Sequence, residues 1–340
     1  MTHKAFIAGC SGQSLTETER AFFAAERPWG FIVFARNIDN PDQVTRLSAQ
    51  LRESVDNEHA PILIDQEGGR VQRLRPPHWT DYPAAAQLGA IFNNSPDTAM
   101  RAIWLMSRLH AFDLLPLGIN VDCLPVLDVP SPGMHDVIGN RAYGPTPHHV
   151  ATMGQAACDG LKAGGVLPVI KHIPGHGRAT ADSHLDLPQV DASLQELEAV
   201  DFPPFAALAS EPMAMTAHIV YSALDPVAPA TTSKVVIDEI IRGKLGFDGL
   251  LMSDDVSMKA LAGSFADRTA QIFDAGCDVV LHCNGDMDEM QAVASKTPEL
   301  AGKALDRTNA ALAATDGVDD SDEKQVREEF AAILAKLPVS

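Results

Sequence analysis

Between Lys171 and His184 the chain reads Lys-His-Ile-Pro-Gly-His-Gly-Arg-Ala-Thr-Ala-Asp-Ser-His, which puts three imidazoles, a lysine and a carboxylate within fourteen residues. Imidazole titrates near neutral pH, and a carboxylate two residues away can orient it, so Asp182 and His184 suit general acid/base work. The same histidines, His172, His176 and His184, together with an aspartate, could instead hold a metal ion that activates water. The apolar run Val166–Ile170 directly before them reads as a short buried strand. Pro174, Gly175 and Gly177 bar a helix, and Arg178 to Asp182 lack apolar periodicity, so a mobile loop is expected after that strand. Any one of these histidines reads most simply as a loop residue facing solvent. Five chemically active groups after a single strand read as a site, since loops on a rigid scaffold are where such groups concentrate.

Three further stretches carry comparable groups. Asp65-Gln-Glu-Gly-Gly-Arg-Val-Gln-Arg73 leaves an apolar run, turns on glycines and offers a carboxylate with two guanidinium groups. A carboxylate accepts hydroxyl hydrogen bonds and arginine supplies charge-assisted donors, a combination suited to a polyhydroxylated ligand or, more simply, to a structural salt bridge. Ile138-Gly-Asn-Arg-Ala-Tyr-Gly144 is a glycine-bracketed loop with one arginine, Arg141. Ser253-Asp-Asp-Val-Ser-Met258 sets Asp254 and Asp255 side by side at the end of a run. Successive strand residues point to opposite faces, so one of this pair is expected to face a pocket and the other to hold the turn.

Eight apolar runs could position these groups: Ala5–Ala8, Phe31–Phe34, Pro61–Ile64, Ile119–Asp122, Val166–Ile170, Met213–Thr216, Leu250–Met252 and Asp278–Leu281. Amphipathic segments lie between most of them, with helix starts at Thr16–Glu19 and Ser193–Glu196 as capping boxes and at Asn40-Pro41 and Ser95-Pro96 as cap-plus-proline openings. Continuous apolar runs are what a parallel sheet buried on both faces requires, and eight strand–helix units close a barrel. The expected fold is therefore α/β, a single-domain (β/α)8 TIM barrel over residues 1–340, its core within about 1–300 and extra C-terminal helices at Leu300–Ala314 and Ser321–Leu337. An open doubly wound sheet is the alternative, weakened by the lack of a Gly-x-Gly-x-x-Gly turn. Arg36 and Asn37, Asp65, Lys171 and His172, His218, Asp254 and Asp255, and Asn284 all follow runs, so a barrel would gather them at the face that carries active sites.

With 46% hydrophobic residues and a net charge of −19, the chain reads as soluble and globular, repelled by nucleic acid and by anionic membrane surfaces. Neither is an expected partner. Five cysteines without short paired spacing argue for free thiols and a cytoplasmic location. Ile7–Cys10 follows too short an apolar run for a signal peptide, and no run approaches a membrane span.

Lys171–Gly177 followed by Asp182-Ser-His184, together with Asp65–Arg73, Ile138–Gly144 and Ser253–Met258, resembles the family 3 glycoside hydrolases. The resemblance is nearer to their single-domain bacterial β-N-acetylglucosaminidases of cell-wall recycling, and its motifs span about residues 30–285 in the family's order. It implies a (β/α)8 barrel with Asp254 as nucleophile and His184, paired with Asp182, as acid/base. It also implies sugar-binding roles for Asp65, Arg73, Arg141, Lys171 and His172, no metal and no cofactor. The implied substrate is a small carbohydrate, an N-acetylglucosamine-containing muropeptide, and the implied state is a monomer. Ile173 stands where the family usually has Phe, a departure that bears on packing more than chemistry.

Two other readings compete. A metal-dependent barrel hydrolase would use His172, His176 and His184, but Pro174 and Gly175 break the helix that would put the first two on one face. A non-catalytic sugar-binding barrel is disfavoured because neither the acid/base nor the nucleophile motif is missing.

Overall fold

All eight apolar runs become strands, paired in parallel and closed into one barrel in the computed structural model, which describes residues 2–131, 133, 136–179, 187–315 and 317–336. They are β1 (Lys4–Gly9), β2 (Pro28–Val33), β3 (Ile62–Ile64), β4 (Val121–Asp122), β5 (Leu167–Ile173), β6 (Met213–Thr216), β7 (Leu250–Asp255) and β8 (Val279–His282). Around the ring they follow chain order, and β1 pairs with β8 to close it.

The continuous apolar character of the runs follows from burial on both faces. Ile7, Ile32, Leu63, Val121, Val169, Met215, Met252 and Leu281 fill the barrel interior. Their neighbours Phe6, Phe31, Ile62, Ile170, Ala214, Leu251 and Val280 join the layer under the helices. That layer is α1 (Glu17–Glu26), α2 (Pro41–Ser54), α3 (Pro96–Leu114), α4 (Pro147–Ala163), α5 (residues 194–207), α6 (Val236–Lys244), α7 (Phe265–Ala275) and α8 (Met287–Lys296). Thr16 and Ser193 form the expected capping boxes and Asn40 caps α2 through Gln43 N. Ser95 departs from expectation. It precedes α3 without a side-chain cap bond, and its hydroxyl pairs with that of Thr98 at 2.7 Å.

Two helices follow the eighth unit, and they do different things. From α9 (Gly302–Leu312), Ala311 joins the interior cluster together with Leu300, and Leu300 N donates to His3 O at 2.8 Å. Arg307 binds Asp278 at 3.0 Å and pairs with Asp248, both just ahead of strands. The helix thus plugs the N-terminal end of the barrel and leaves the C-terminal end as the open one. The second, α10 (Glu323–Leu334), packs on the outside of α3, burying Val326 and Phe330. Its Arg327 reaches Asp113 at 2.8 Å, and that carboxylate accepts from Tyr82 Oη at 2.6 Å.

Strands β5 and β7 run further than their apolar residues. Lys171 and His172, expected in a loop, are strand residues; the ladder to β6 continues as far as Ile173 opposite Thr216, with a register shift after Lys171. Likewise β7 carries Ser253, Asp254 and Asp255, with a shift between Met252 and Asp255 against β8. Backbone pairing with neighbours already in place extends a strand into polar residues that hydropathy alone assigns to loop.

Candidate active site

At the end of β3 the chain turns through a short antiparallel hairpin, Gln66–Gly68 with Val71–Gln72. Gly68 and Gly69 make the turn at φ +90° and +57°, and a side chain on Gly68 would meet the Pro83 carbonyl at 2.4 Å. Only glycine combines that backbone with that approach. The hairpin folds Arg73 back until its Nη2 lies 2.9 Å from Asp65 Oδ2. From β5, Lys171 Nζ reaches Asp65 Oδ1 at 2.8 Å and Glu67 Oε1 at 2.7 Å. A turn of 3-10 helix at Gly139–Arg141 delivers Arg141, which grips Glu67 in a fork of two 2.8 Å bonds.

Three cations and two carboxylates therefore form one chain, Arg73–Asp65–Lys171–Glu67–Arg141, with Lys171 and Glu67 buried at its centre and the others partly buried. Burial alone would raise both carboxyl pKa values. Lys171 and Arg73 instead hold Asp65 far below the carboxylate range, while Arg141 and Lys171 hold Glu67 down to about 2. Burial would lower Lys171, but Asp65 and Glu67 outweigh it and keep the ammonium charged. Removing one member of such a network strands a buried charge, which typically costs about 3–5 kcal/mol. Glu67→Gln should therefore destabilise the protein at pH 7. A carboxyl with a lowered folded pKa contributes stability above its unfolded value, here 4.5, and loses it as pH falls toward the folded value of about 2. Urea midpoints of wild type and variant should thus converge between those two pH values. A gap that stays constant or widens on acidification contradicts the assignment.

The second part of β5 presents His172, whose Nδ1 lies 2.7 Å from Asp128 Oδ2, and the peptide joining it to Lys171 is cis. Asp128 is fully buried, and its Oδ1 also accepts from the backbone N–H groups of His172 at 3.2 Å and His176 at 2.6 Å. His176 is not a solvent-facing loop residue. It is 3% exposed, and burial, reinforced by His172, lowers its pKa to about 4, so the ring is neutral near pH 7.

The segment beyond β5 corrects another expectation, since as far as Ala179 it is anchored. Tyr221 Oη donates to Gly175 O at 2.5 Å, Arg178 Nε to Asp201 at 2.6 Å and Ser131 N to Gly177 O at 3.1 Å. Gly177 approaches so closely that a side chain there would sit 1.8 Å from the Val129 carbonyl. Backbone contacts of this kind leave no trace in hydropathy. Asp182 and His184 lie outside the described residues.

From β7, both Asp254 and Asp255 line the cavity, although strand alternation predicts that only one would. The register shift at this point turns the backbone and relaxes the alternation. Their roles still divide. Asp255 accepts from Ser257 Oγ at 2.5 Å, Ser257 N at 3.0 Å and Cys283 N at 3.1 Å, which holds the turn and the end of β8. Asp254 Oδ1 accepts from Asp255 N at 2.8 Å, and the residue lines the cavity. His218, fully buried, joins Thr231 Oγ1 at 2.7 Å and the Asp255 carbonyl at 3.0 Å and so braces β6 against β7.

Other strand-end residues are tied into the framework, although Arg36 and Asn284 also line the cavity. Arg36 and Asn37 both donate to the Cys10 carbonyl at 3.0 Å, and Asn284 donates to Glu289 at 3.0 Å. The cavity these elements enclose measures about 340 Å³, and Asp65, Arg73, Arg141, Lys171, His172 and Asp254 all line it. Charged groups of this kind beside strand-end carboxylates can hold a small polyhydroxylated ligand.

The sequence profile described as the glycosyl hydrolase family 3 N terminal domain matches residues 13–312. The chain belongs to glycosyl hydrolase family 3. A curated relative, the beta-hexosaminidase of Alkalilimnicola ehrlichii, is 40% identical over 82% of this chain and 80% of its own. The crystal structure of NagZ from Neisseria gonorrhoeae in complex with N-trifluoroacetyl-D-glucosamine superposes with TM-score 0.85 at 32% identity, covering 99% of this chain and 98% of that one. A family 3 beta-N-acetylglucosaminidase from Paenibacillus sp. also superposes with TM-score 0.85, at 30% identity, covering 98% of this chain and 67% of the other. This glycoside hydrolase thus groups with the beta-N-acetylhexosaminidases of family 3.

Two residues that contact the cavity-lining groups, Glu67 and Asp128, are not evident from the sequence alone. Glu67 stands inside the Asp65–Arg73 motif, and a glutamate two residues from a candidate carboxylate and directly before a glycine turn is a usable signal. Asp128 had none, since it sits alone in the apolar stretch Leu124–Val129, where a single buried aspartate reads as a turn residue. Among the described residues, no helix is long and apolar enough to cross a membrane.

Proposed function

We propose that this family 3 enzyme is a retaining exo-β-N-acetylglucosaminidase. It removes terminal, non-reducing β-linked N-acetylglucosamine from 1,6-anhydro-N-acetylmuramyl muropeptides during cytoplasmic cell-wall recycling, acting as a single-domain monomer. The observation that carries this reading is the cavity at the open end of the barrel, where Asp254 borders the same space as the Asp65–Lys171–Glu67–Arg141 network. The ligand of the Neisseria gonorrhoeae NagZ structure, an N-acylated glucosamine, supports the choice of sugar.

In this mechanism Asp65, Arg73, Arg141, Lys171 and His172 bind the sugar. Each Asp65 oxygen already accepts from one cation but retains lone-pair capacity for a hydroxyl, and the cations donate to sugar oxygens. Asp254 attacks the anomeric carbon while His184 protonates the departing glycosidic oxygen, which gives a glycosyl-aspartate and releases the aglycone. The imidazole then takes a proton from water as the water attacks the same carbon, which restores both groups and retains the anomeric configuration. Asp182 orients His184 and balances its charge. Incubation with a 5-fluoro N-acetylglucosaminyl fluoride should slow the second step, and peptide mapping should find the label on Asp254. A label elsewhere, or none while the enzyme remains active, would exclude a covalent role for this residue.

The metal-dependent alternative, with His172, His176 and His184 as ligands, is separated from this reading by a chelator. Hydrolysis of an aryl N-acetylglucosaminide should survive exhaustive dialysis against a chelator. Activity lost to the chelator and restored by zinc would favour the metallohydrolase.

A further inference from the structure

We propose that Asp128 is a positioning residue that holds the proton of His172 on Nδ1, so that in the neutral form of the ring Nε2 is the acceptor offered to the sugar. The inference rests on the reading of His172 as a sugar-facing group. His172 is the histidine of the cavity wall that follows Lys171 directly, and its orientation is set from behind by Asp128. The aspartate is 0% exposed, in the segment after the Leu124–Pro125 cis bond.

Its two oxygens are fully committed. Oδ1 takes two backbone N–H groups, from His172 and His176, and Oδ2 faces the imidazole at 2.7 Å. Burial would favour the neutral acid, but the adjoining imidazole and these hydrogen bonds outweigh it and hold the carboxyl below its ordinary range. An ionised carboxylate only accepts, so the proton of the contact belongs to Nδ1, and in the neutral ring Nε2 is left as an acceptor. The consequence is chemical selectivity in a wall otherwise rich in cationic donors. Arg73, Arg141 and Lys171 can only donate, whereas Nε2 of a neutral His172 held this way would accept a hydroxyl proton. The same carboxylate also ties the end of β5 to His176 through the two backbone N–H groups.

Asp128→Asn separates the tautomer role from mere packing. The amide oxygen can keep both backbone bonds, which leaves the NH2 facing Nδ1. Nδ1 must then accept and Nε2 must donate, the inversion that an Asp-to-Asn change produces behind a catalytic histidine in serine proteases. Long-range proton–nitrogen NMR of the full-length, 15N-labelled protein at about pH 8, above the ordinary imidazole range, reads the tautomer directly. His172 is assigned as the signal missing from His172→Gln. Wild type should show a protonated Nδ1 and Asp128→Asn a protonated Nε2. N-acetylglucosamine, titrated by calorimetry, should bind about tenfold more weakly to the variant, since a hydroxyl then meets a donor and a buried polar group goes unpaired. A wild-type ring protonated on Nε2 overturns the proposal, and that measurement stands even where the variant fails to fold. The same tautomer in both proteins also overturns it. Inversion with unchanged sugar affinity upholds Asp128 as the positioning group and removes His172 from the sugar contacts instead.

Discussion

Asp254→Asn is expected to leave a folded protein that binds N-acetylglucosamine and turns over an aryl glycoside on the order of 10⁴-fold or more slowly, the scale seen when a catalytic nucleophile is removed. The substitution preserves shape, and the amide oxygen can still accept from Asp255 N as the carboxylate does now. On the proposed mechanism, what disappears is the anion that attacks the anomeric carbon and the covalent intermediate it would form. Asp254→Gly goes further, because it clears space for a small anion, and azide or formate should restore part of the rate. Asp255 supplies the control. Its carboxylate holds Ser257 and the β8 end at Cys283, so Asp255→Asn should lower the unfolding midpoint as well as activity. Near-normal turnover by Asp254→Asn, beside a folded but inactive Asp255→Asn, would exchange the two roles.

His184→Ala should cost about 10²- to 10⁴-fold in rate with a natural, poorly leaving aglycone, the range of general acid/base catalysis. With an activated aryl leaving group, the bond-breaking step needs little protonation, and its loss should shrink accordingly. Asp182→Asn should be partly impaired in the same pattern if, as proposed, its carboxylate orients the imidazole. Pre-steady-state measurement of aryl alcohol release isolates the step that matters. Equal losses for good and poor leaving groups in that step would remove His184 from the acid role.

How far the chain could be read without coordinates depended on the range of the interactions involved. The eight strands were legible because burial on both faces writes a continuous apolar run into the local sequence, as at Phe31–Val33 and Val279–Leu281. Capping boxes at Thr16 and Ser193 are equally local, a matter of three residues. Once the number of units reached eight, closure and the gathering of strand ends on one face followed from topology.

The remaining features are pairings across long stretches of chain. Lys171 meets Asp65 across 106 residues, Arg141 meets Glu67 across 74, and His172 meets Asp128 across 44. Composition shows that charges are present, but only the closed barrel decides which oppose each other, and so which carboxylates stay ionised and which become framework. The division between Asp254 and Asp255 is of the same kind. Strand alternation assigns opposite faces to adjacent residues, yet the register shift beside β8 brings both to the cavity and leaves hydrogen-bond partners to tell them apart. Plugging of the opposite end by α9 belongs here too, since Leu300, Ala311 and Arg307 look like ordinary surface-helix residues until the barrel end they cover exists. Patterns of hydrophobicity and capping act over a few residues and survive in the sequence. Charge pairing and register depend on the distances that folding creates.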